Sequence, residues 1–369
     1  MTQTQPLQTY TCPNCSRAVY FDSESQRLHC PYCDAELSLD SMAFYHEAMK
    51  EGSQEGKMRW ESASTHNWSQ EEAGAMRQYS CQSCGGEILT SEHTIATSCP
   101  FCDNPVVLTE NVQGDQKPDF VIPFKISKEE AKAALEAFLT DKFLLPKVFK
   151  EESHLDEMKA LYVPFWLFDA KAQIDGHYTT QEIREWSDFD YVYTQVTYYL
   201  EIRKGNMQFE HLAVDGSSSL ADDLMQSIEP FDFTEAVPFQ SAYLAGYLAD
   251  KYDVEADESQ EVANQRIQET AKEQLRQTVY QASSIESEQV SLEEGTYHYA
   301  LYPVWLLTTT WQGQRYLFAM NGQTGKFVGD LPVDKQVYRR TFALLATLVA
   351  LVLMLLYSLI GLFGLGGGF

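Results

Sequence analysis

All eight cysteines of this chain fall in two quartets near the N-terminus: Cys12, Cys15, Cys30 and Cys33, then Cys81, Cys84, Cys99 and Cys102. Each quartet reads CxxC, fourteen residues, CxxC. At an offset of 69, Tyr10-Thr11-Cys12-Pro13-Asn14-Cys15 lies over Tyr79-Ser80-Cys81-Gln82-Ser83-Cys84, and Cys30-Pro31-Tyr32-Cys33-Asp34 lies over Cys99-Pro100-Phe101-Cys102-Asp103. One small module is written twice. A CxxC turn presents two thiolates from one hairpin tip, and two such tips close a tetrahedral sulfur cage around zinc. A module of this size buries too little apolar surface to fold alone, so a metal has to supply its stability.

The expectation is two zinc ions (Zn2+), one per quartet, with all eight cysteines as ligands. A redox dithiol would sit in a βαβ context, which is missing, and an iron-sulfur cluster is the other competing reading. Cross-bracing between quartets would require residues 34–80 to fold back, and nothing in their pattern calls for it. Four thiolates leave no position for water or substrate, so the sites read as structural. His29 and His93 lie close by and read as surface residues, because the cages are already full.

With 53 acidic against 27 basic residues, the net charge of -26 argues against phosphate binding, which needs clustered lysine and arginine. The modules follow suit: residues 1–38 hold two bases and four acids, and residues 79–111 no base and four acids. Residues 215–294 carry 18 acids against 4 bases, a solvated face or a docking face for a basic partner. Residues 1–20 are polar and lack the apolar core of a secretory signal, which sets the expectation of a cytosolic N-terminus.

Between the modules, residues 38–78 read as a linker with a short helix at 42–50 and a break at 52–56, either docking one tryptophan, Trp60 or Trp68, or serving as a flexible spacer. Further on, residues 120–126 read as a strand near a sheet edge because of Pro123. Ser127 and Glu130 form a capping box, and Ala131, Ala134, Leu135 and Phe138 recur at helical spacing, with the helix ending before Pro146. Residues 161–168 are an apolar strand. More strands follow at 173–179, 191–203 and 207–214, the last two joined by a hairpin at Lys204-Gly205-Asn206. Residues 257–280 read as one helix with a stripe of Val262, Ile267, Ala271, Leu275 and Val279.

Residues 301–307, Leu-Tyr-Pro-Val-Trp-Leu-Leu, echo residues 161–167, Leu-Tyr-Val-Pro-Phe-Trp-Leu, each followed by a glycine read as a turn. This is a weak internal repeat. Residues 321–325 close a final hairpin. Residues 342–363 carry no charge and are long enough to span a bilayer; Lys335, Arg339 and Arg340 precede them, so the body is expected on the cytosolic side. The lone Gly364/Gly368 pair is too late in the segment to define a dimer face.

No P-loop, HExxH or GxSxG motif is present. His154, Asp156, Glu157, His177, His211 and Asp215 are isolated polar residues that read as surface or satisfied core groups, so no catalytic residue is assigned and the chain is not read as an enzyme. The cysteine modules, the Tyr-Val-Pro-Phe-Trp-Leu run, the hairpin Phe318-Ala-Met-Asn-Gly-Gln-Thr-Gly325 and the apolar tail together resemble a bacterial family of TFIIB-type zinc-ribbon membrane proteins, sometimes labelled primosomal helicase-like.

The resemblance covers nearly the whole chain. It implies a non-enzymatic protein of the inner membrane, working beside SPFH-domain and PspA-like proteins in envelope stress. The expected architecture is α+β: ribbon 1 (1–37), linker (38–78), ribbon 2 (79–111), a mixed antiparallel β/helix body with a weak internal repeat (112–334), and a transmembrane tail anchor (335–369). Its function is read as an adaptor that recruits other proteins to the membrane; a nucleic-acid-binding ribbon protein is the alternative, and an enzyme with an unrecognised site a lesser one.

Overall fold

The computed structural model describes residues 10–364, apart from 52–58, 64–66, 93, 110–115, 141, 143, 147–148, 150–157, 281 and 330. The break read at 52–56 and the residues His93, His154, Asp156 and Glu157 therefore lie outside the described residues. The strands are β1 (Tyr20–Asp22), β2 (Arg27–His29), β3 (Glu36–Leu37), β4 (Glu61–Ser62), β5 (Met76–Ser80), β6 (Glu87–Ser91), β7 (Val107–Leu108), β8 (Phe120–Val121), β9 (Lys159–Ser187), β10 (Val192–Asp215), β11 (Val237–Pro238), β12 (Leu248–Asp250), β13 (Ala282–Trp311), β14 (Gln314–Asn321) and β15 (Phe327–Gly329). The helices are α1 (Leu39–Glu51), α2 (Gln70–Gly74), α3 (Lys128–Thr140), α4 (Asp222–Ile228), α5 (Ala256–Arg276) and α6 (Lys335–Gly364).

The chain forms two compact units, one from Met1–Glu61, Phe168–Leu212 and Gln260–Thr296, the other from Ser62–Leu167, Ala213–Ser259 and Tyr297–Phe369. The fold is α+β with a mixed sheet. In the second unit the strands run β11-β8-β13-β9-β12-β6-β5-β7, with β14 beside β13 and β15 beside β14. β8 lies parallel to β13 and β12 parallel to β9, which corrects the antiparallel reading of the body. Those parallel partners are two or three residues long and paired across large sequence separations, so no local pattern announces them.

Helix α3 starts where its capping box places it: Ser127 N donates to Glu130 Oε2 at 2.8 Å, and Glu130 N to Ser127 Oγ at 3.2 Å. Ala131, Leu135 and Leu139 are its buried stripe and pack with Trp305, Leu307, Phe318 and Met320. The strand before it stops at Val121, two residues short of Pro123.

The two echoed segments lie in β9 and β13 and make matching contacts. Pro164 O accepts from Gly216 N at 2.9 Å, and Pro303 O from Gly322 N at 2.8 Å. Gly216 O accepts from Asp253 N and Val254 N at 3.1 and 3.2 Å; Gly322 O accepts from Lys125 N and Ile126 N, both at 3.0 Å. Trp166 Nε1 donates to Val254 O at 2.9 Å and Trp305 Nε1 to Ile126 O at 3.0 Å. Buried indole N–H groups and turn amides are thereby satisfied in the same way twice. Glycine is required at Gly322, where a Cβ would come within 2.7 Å of the Phe124 ring.

In the first unit the cysteine module builds its own sheet, β1-β2-β3, with β2 central. Strands β9 and β10 form a hairpin, but its turn is at residues 188–191, where Asp188 Oδ1 accepts from Asp190 N and Tyr191 N at 3.0 and 2.8 Å. The hairpin read at Lys204-Gly205-Asn206 is thus corrected: β10 runs straight through it. Gly176 is there for packing: a Cβ on it would lie 2.6 Å from Tyr178 Oη and 2.7 Å from Leu275 Cδ2, so β9 leaves room for helix α5 at this point, whereas a Cβ on Gly205 would meet only ordinary contacts, 3.6 Å from Ile174 and 3.9 Å from Leu275.

That helix buries Ala263, Ile267, Ala271 and Leu275, while Val262 is exposed, which corrects the start of its stripe. Of the glycines following the echoed segments, only Gly313, with φ +78°, makes a turn. Trp60 docks edge-to-face on Phe168 with its Nε1 on Asn264 Oδ1 at 2.8 Å. Trp68 docks as well, edge-to-face on Phe239 in the second unit.

Asp334 caps α6, accepting from Gln336 N and Val337 N at 2.8 and 3.1 Å, and its own N–H is held by Leu144 O. The span Lys335–Leu356 is long and apolar enough to cross a membrane, and its window is 0% buried.

Overpacking a core costs about 1–3 kcal/mol. Gly176→Ala is accordingly expected to lower the urea-unfolding stability of the full chain by about that amount, and the double variant Gly176→Ala/Leu275→Ala to recover part of the loss relative to Leu275→Ala. Independent, additive losses would refute the glycine-for-helix packing.

Candidate metal centres

Each quartet assembles from two tight turns of one pattern. In the first, Ser16 N donates to Cys12 O at 2.8 Å and Cys12 N to Arg17 O at 2.7 Å, while Asp34 N donates to Cys30 O and Cys30 N to Ala35 O, both at 3.0 Å. The second repeats this with Gly85 N to Cys81 O, Cys81 N to Gly86 O, Asp103 N to Cys99 O and Cys99 N to Asn104 O, at 2.8 to 3.0 Å. The residue after each second cysteine takes a left-handed conformation: Ser16, Asp34, Gly85 and Asp103 have φ of 58°, 56°, 80° and 60°. Small or short polar residues tolerate that conformation, and it turns the carbonyls and amides around the sulfurs.

The structure brings together all eight cysteines named from the sequence, four and four, with the sulfurs of each group within 4.8 Å of one another. Cys12 Sγ is 3.6 Å from Cys33 Sγ and Cys15 Sγ is 3.5 Å from Cys30 Sγ. In the second group Cys81 Sγ to Cys102 Sγ is 3.4 Å and Cys84 Sγ to Cys99 Sγ 3.6 Å. A disulfide needs about 2.05 Å. A tetrahedron with metal–sulfur bonds of about 2.3 Å has edges of about 3.8 Å. The donor set therefore fits a four-thiolate metal ion and is consistent with zinc.

The thiols share charge unevenly. Burial acts to raise Cys30, but the N–H groups of Tyr32 and Cys33 and the Cys15 thiol outweigh it and bring Cys30 down to about 6. Cys33 is pushed up to about 12, by burial and by the neighbouring thiols. In the second quartet burial is again outweighed at Cys102, where the Asn104 backbone and side-chain N–H groups bring the thiol down to about 6, while burial raises Cys99. Cys30 and Cys102 are thus the readiest to act as thiolates, and a metal must displace protons held at Cys33 and Cys99.

The surroundings of the two quartets differ. Cys81, Cys99 and Cys102 belong to the core of the second unit, together with Phe101, Ile122, Leu161, Val163 and Leu306. Lys159 Nζ donates to Ser98 Oγ, Cys99 O and Asp103 Oδ1 at 2.7, 3.0 and 2.6 Å. Thr308 Oγ1 donates to Pro100 O at 3.2 Å, and Asn104 Nδ2 reaches Cys102 Sγ at 3.4 Å. The sequence reading missed Lys159, Thr308 and Asn104. Asn104 alone was visible there, since Ala35 stands at its place in the other module; Lys159 and Thr308 come from distant strands. Around the first quartet, Met42 of α1 is buried and Tyr10 packs on His46.

His29 is half-buried beside Tyr20 and 3.8 Å from Asp34, outside the sulfur cage. His177 is buried with Nε2 3.2 Å from Asp175 Oδ1, and His211 Nδ1 lies 3.2 Å from Asp169 Oδ1. Asp215 belongs to the other unit, where its Oδ1 accepts from Ser217 N at 3.1 Å. Burial, with Asp222 and Asp253 adding repulsion, pushes Asp215 up to about 8. Burial also raises Asp250, which accepts from Ser217 Oγ.

Comparison with known proteins gives one relative at length. An uncharacterized protein of Bacillus subtilis (strain 168), YdjG, is 29% identical over 329 residues, which is 89% of this chain and 91% of that one. No family model matches, and no solved structure matches.

Two outcomes are expected. Cys12→Ser/Cys15→Ser and Cys81→Ser/Cys84→Ser should each remove one metal equivalent by elemental analysis. Structural zinc sites contribute about 10–16 kcal/mol of apparent binding energy, so the second pair, set in the core, should lose on the order of 5 kcal/mol of second-unit stability, whereas the first pair should leave it unchanged; equal losses would refute this asymmetry. Asp215 holds its proton in the folded state above the pH at which the unfolded chain releases it. Its contribution therefore falls as pH rises from about 4 to about 8. Asp215→Asn should stabilise the protein most at pH 8 and above and not at pH 4, as read by thermal unfolding across pH.

Proposed function

We propose that this chain is a membrane-anchored adaptor. Its two quartets hold structural zinc as tandem ribbons, its body faces the cytosol, and its surfaces recruit or organise other proteins at the inner face of the membrane. The observation that carries the reading is the combination of two closed four-sulfur groups with an unburied apolar helix on the same chain. Closed metal groups stabilise and present surfaces, with no ligand position left for a reacting molecule. The apolar helix concentrates those surfaces at a bilayer, and Lys335, Arg339 and Arg340 at its start favour a cytosolic body.

The matched Pro-Gly-Trp contacts of β9 and β13 support the internal duplication of the body. The resemblance to zinc-ribbon membrane proteins supplies the partner class, SPFH-domain and PspA-like proteins acting in envelope stress.

The test is a pull-down of the full chain from detergent-solubilised membranes of cells under envelope stress. Membrane-stress partners should be captured and should be lost with Cys12→Ser/Cys15→Ser. An empty pull-down, or tight salt-sensitive binding of nucleic acid in its place, would overturn the adaptor reading.

A further inference from the structure

Strand β10 has an edge with no strand beside it among the described residues. Among the described residues it pairs with β9 alone, so along 192–200 one row of backbone N–H and C=O groups has no strand beside it. This stretch, Val192-Tyr-Thr-Gln-Val-Thr-Tyr-Tyr-Leu200, holds no charge, proline or glycine in a chain of net charge -26. Natural edge strands are blunted by charges, prolines or bulges, and a long bare edge is a template for another strand. Here Val192 is 73% exposed and Tyr198 45%.

Over the β9–β10 ribbon next to this edge lies a groove of about 490 Å³, lined by Pro13 and Leu37 of the first cysteine module, Phe44 of α1, Thr179 of β9, and Tyr198 and Leu200 of β10. The first module and α1 thus form one wall and the β9–β10 ribbon the other. All of these residues belong to the first unit.

Charge selects the occupant. Asp40 is the one charged residue among those lining the groove. The adjoining tip of the hairpin, residues 181–191, carries Glu182, Glu185, Asp188 and Asp190 against Arg184, whose guanidinium is 2.9 Å from Glu182. Glu182 also accepts from Tyr199 Oη, which brings this acidic tip to the groove. Trp186 and Tyr193 stack at 5.7 Å on the same tip and offer aromatic faces. Acids and aromatic faces together favour lysine and arginine. A second copy of this chain would bring the same acids against each other.

We propose that the outer edge of β10 and the groove beside it dock an extended segment of a partner protein, with lysine or arginine alternating with apolar residues, which adds as a strand. Backbone bonds along 192–200 supply affinity and the groove takes the apolar side chains. The proposal rests on the adaptor reading and names the partner chemistry it would use.

The experiment titrates the full chain in detergent against a labelled short peptide of alternating lysine and valine, followed by fluorescence anisotropy. Saturable binding is expected. It should weaken by roughly tenfold or more in Tyr198→Lys and in Phe44→Lys, two exposed positions whose variants keep the wild-type circular dichroism. It should weaken equally when alternate peptide nitrogens are methylated, and vanish when glutamate replaces lysine. Undiminished binding of the methylated peptide would reduce the contact to charge and overturn strand addition, as would indifference to both substitutions. If the peptide does not bind while the pull-down still captures partners, this inference fails and the adaptor reading stands. If the peptide binds as expected while the pull-down is empty, the docking edge stands and the adaptor reading fails.

Discussion

The second cysteine quartet sits where the sheet of its unit is held together. Cys81, Cys99 and Cys102 are buried with Phe101 among the apolar side chains of β9 and β13, and Lys159 and Thr308 reach from those strands to the backbone of the turn carrying Cys99. Three thiols in an apolar core are a liability unless something neutralises and fixes them, because each is a weak hydrogen-bonding group held away from water. A metal held by the four sulfurs would convert that liability into a rigid joint. Strands β5 and β6, on either side of the Cys81–Cys84 turn, continue the sheet through β12 to β9. Order in the body and order at the sulfurs are therefore one problem.

The paired indoles of Trp166 and Trp305 are the other fixed points. Each donates to a carbonyl two residues before a helix, α5 in one case and α3 in the other, and each helix approach is clamped again by a glycine carbonyl. The pairing is crossed along the chain: the early strand β9 holds the late helix, and the late strand β13 holds the early one. Neither half can then complete its contacts without the other. Such interleaving favours cooperative formation of the unit, since long-range contacts close only when both segments are in place.

Much of this was legible beforehand, for reasons that can be named. The quartets were visible because thiolate chemistry fixes spacing, and α3 because a capping box is a local signal. The long apolar runs of β9 and β13 were visible because buried strands have no polar face to alternate. The hairpin read at Lys204-Gly205-Asn206 misled because a Lys-Gly-Asn triplet is a local turn signal, while β10 continues as one strand from Val192 to Asp215 and the turn forms earlier, at residues 188–191. Parallel partners of two or three residues carry no readable period. The unequal settings of the two modules were hidden as well, since the cysteines repeat while the groups around them, Lys159 and Thr308, arrive from remote strands.

That inequality bears on why the module is written twice. A metal group locked into a core has its faces committed to packing, with Phe101 and three of its four cysteines buried. The first module spends few of its residues this way: Tyr20, Phe21 and Tyr32 are each close to half exposed or more, on a three-stranded sheet of its own. The same four-sulfur geometry thus serves two ends. In one copy the sulfur cage replaces part of a hydrophobic core; in the other it makes rigid a small surface that has almost no core. A rigid surface loses little conformational entropy when a partner closes on it, which is the condition for useful affinity from a small contact. On the adaptor reading, the first module is the one free to bind, and the second is the reason the body that carries it keeps its shape.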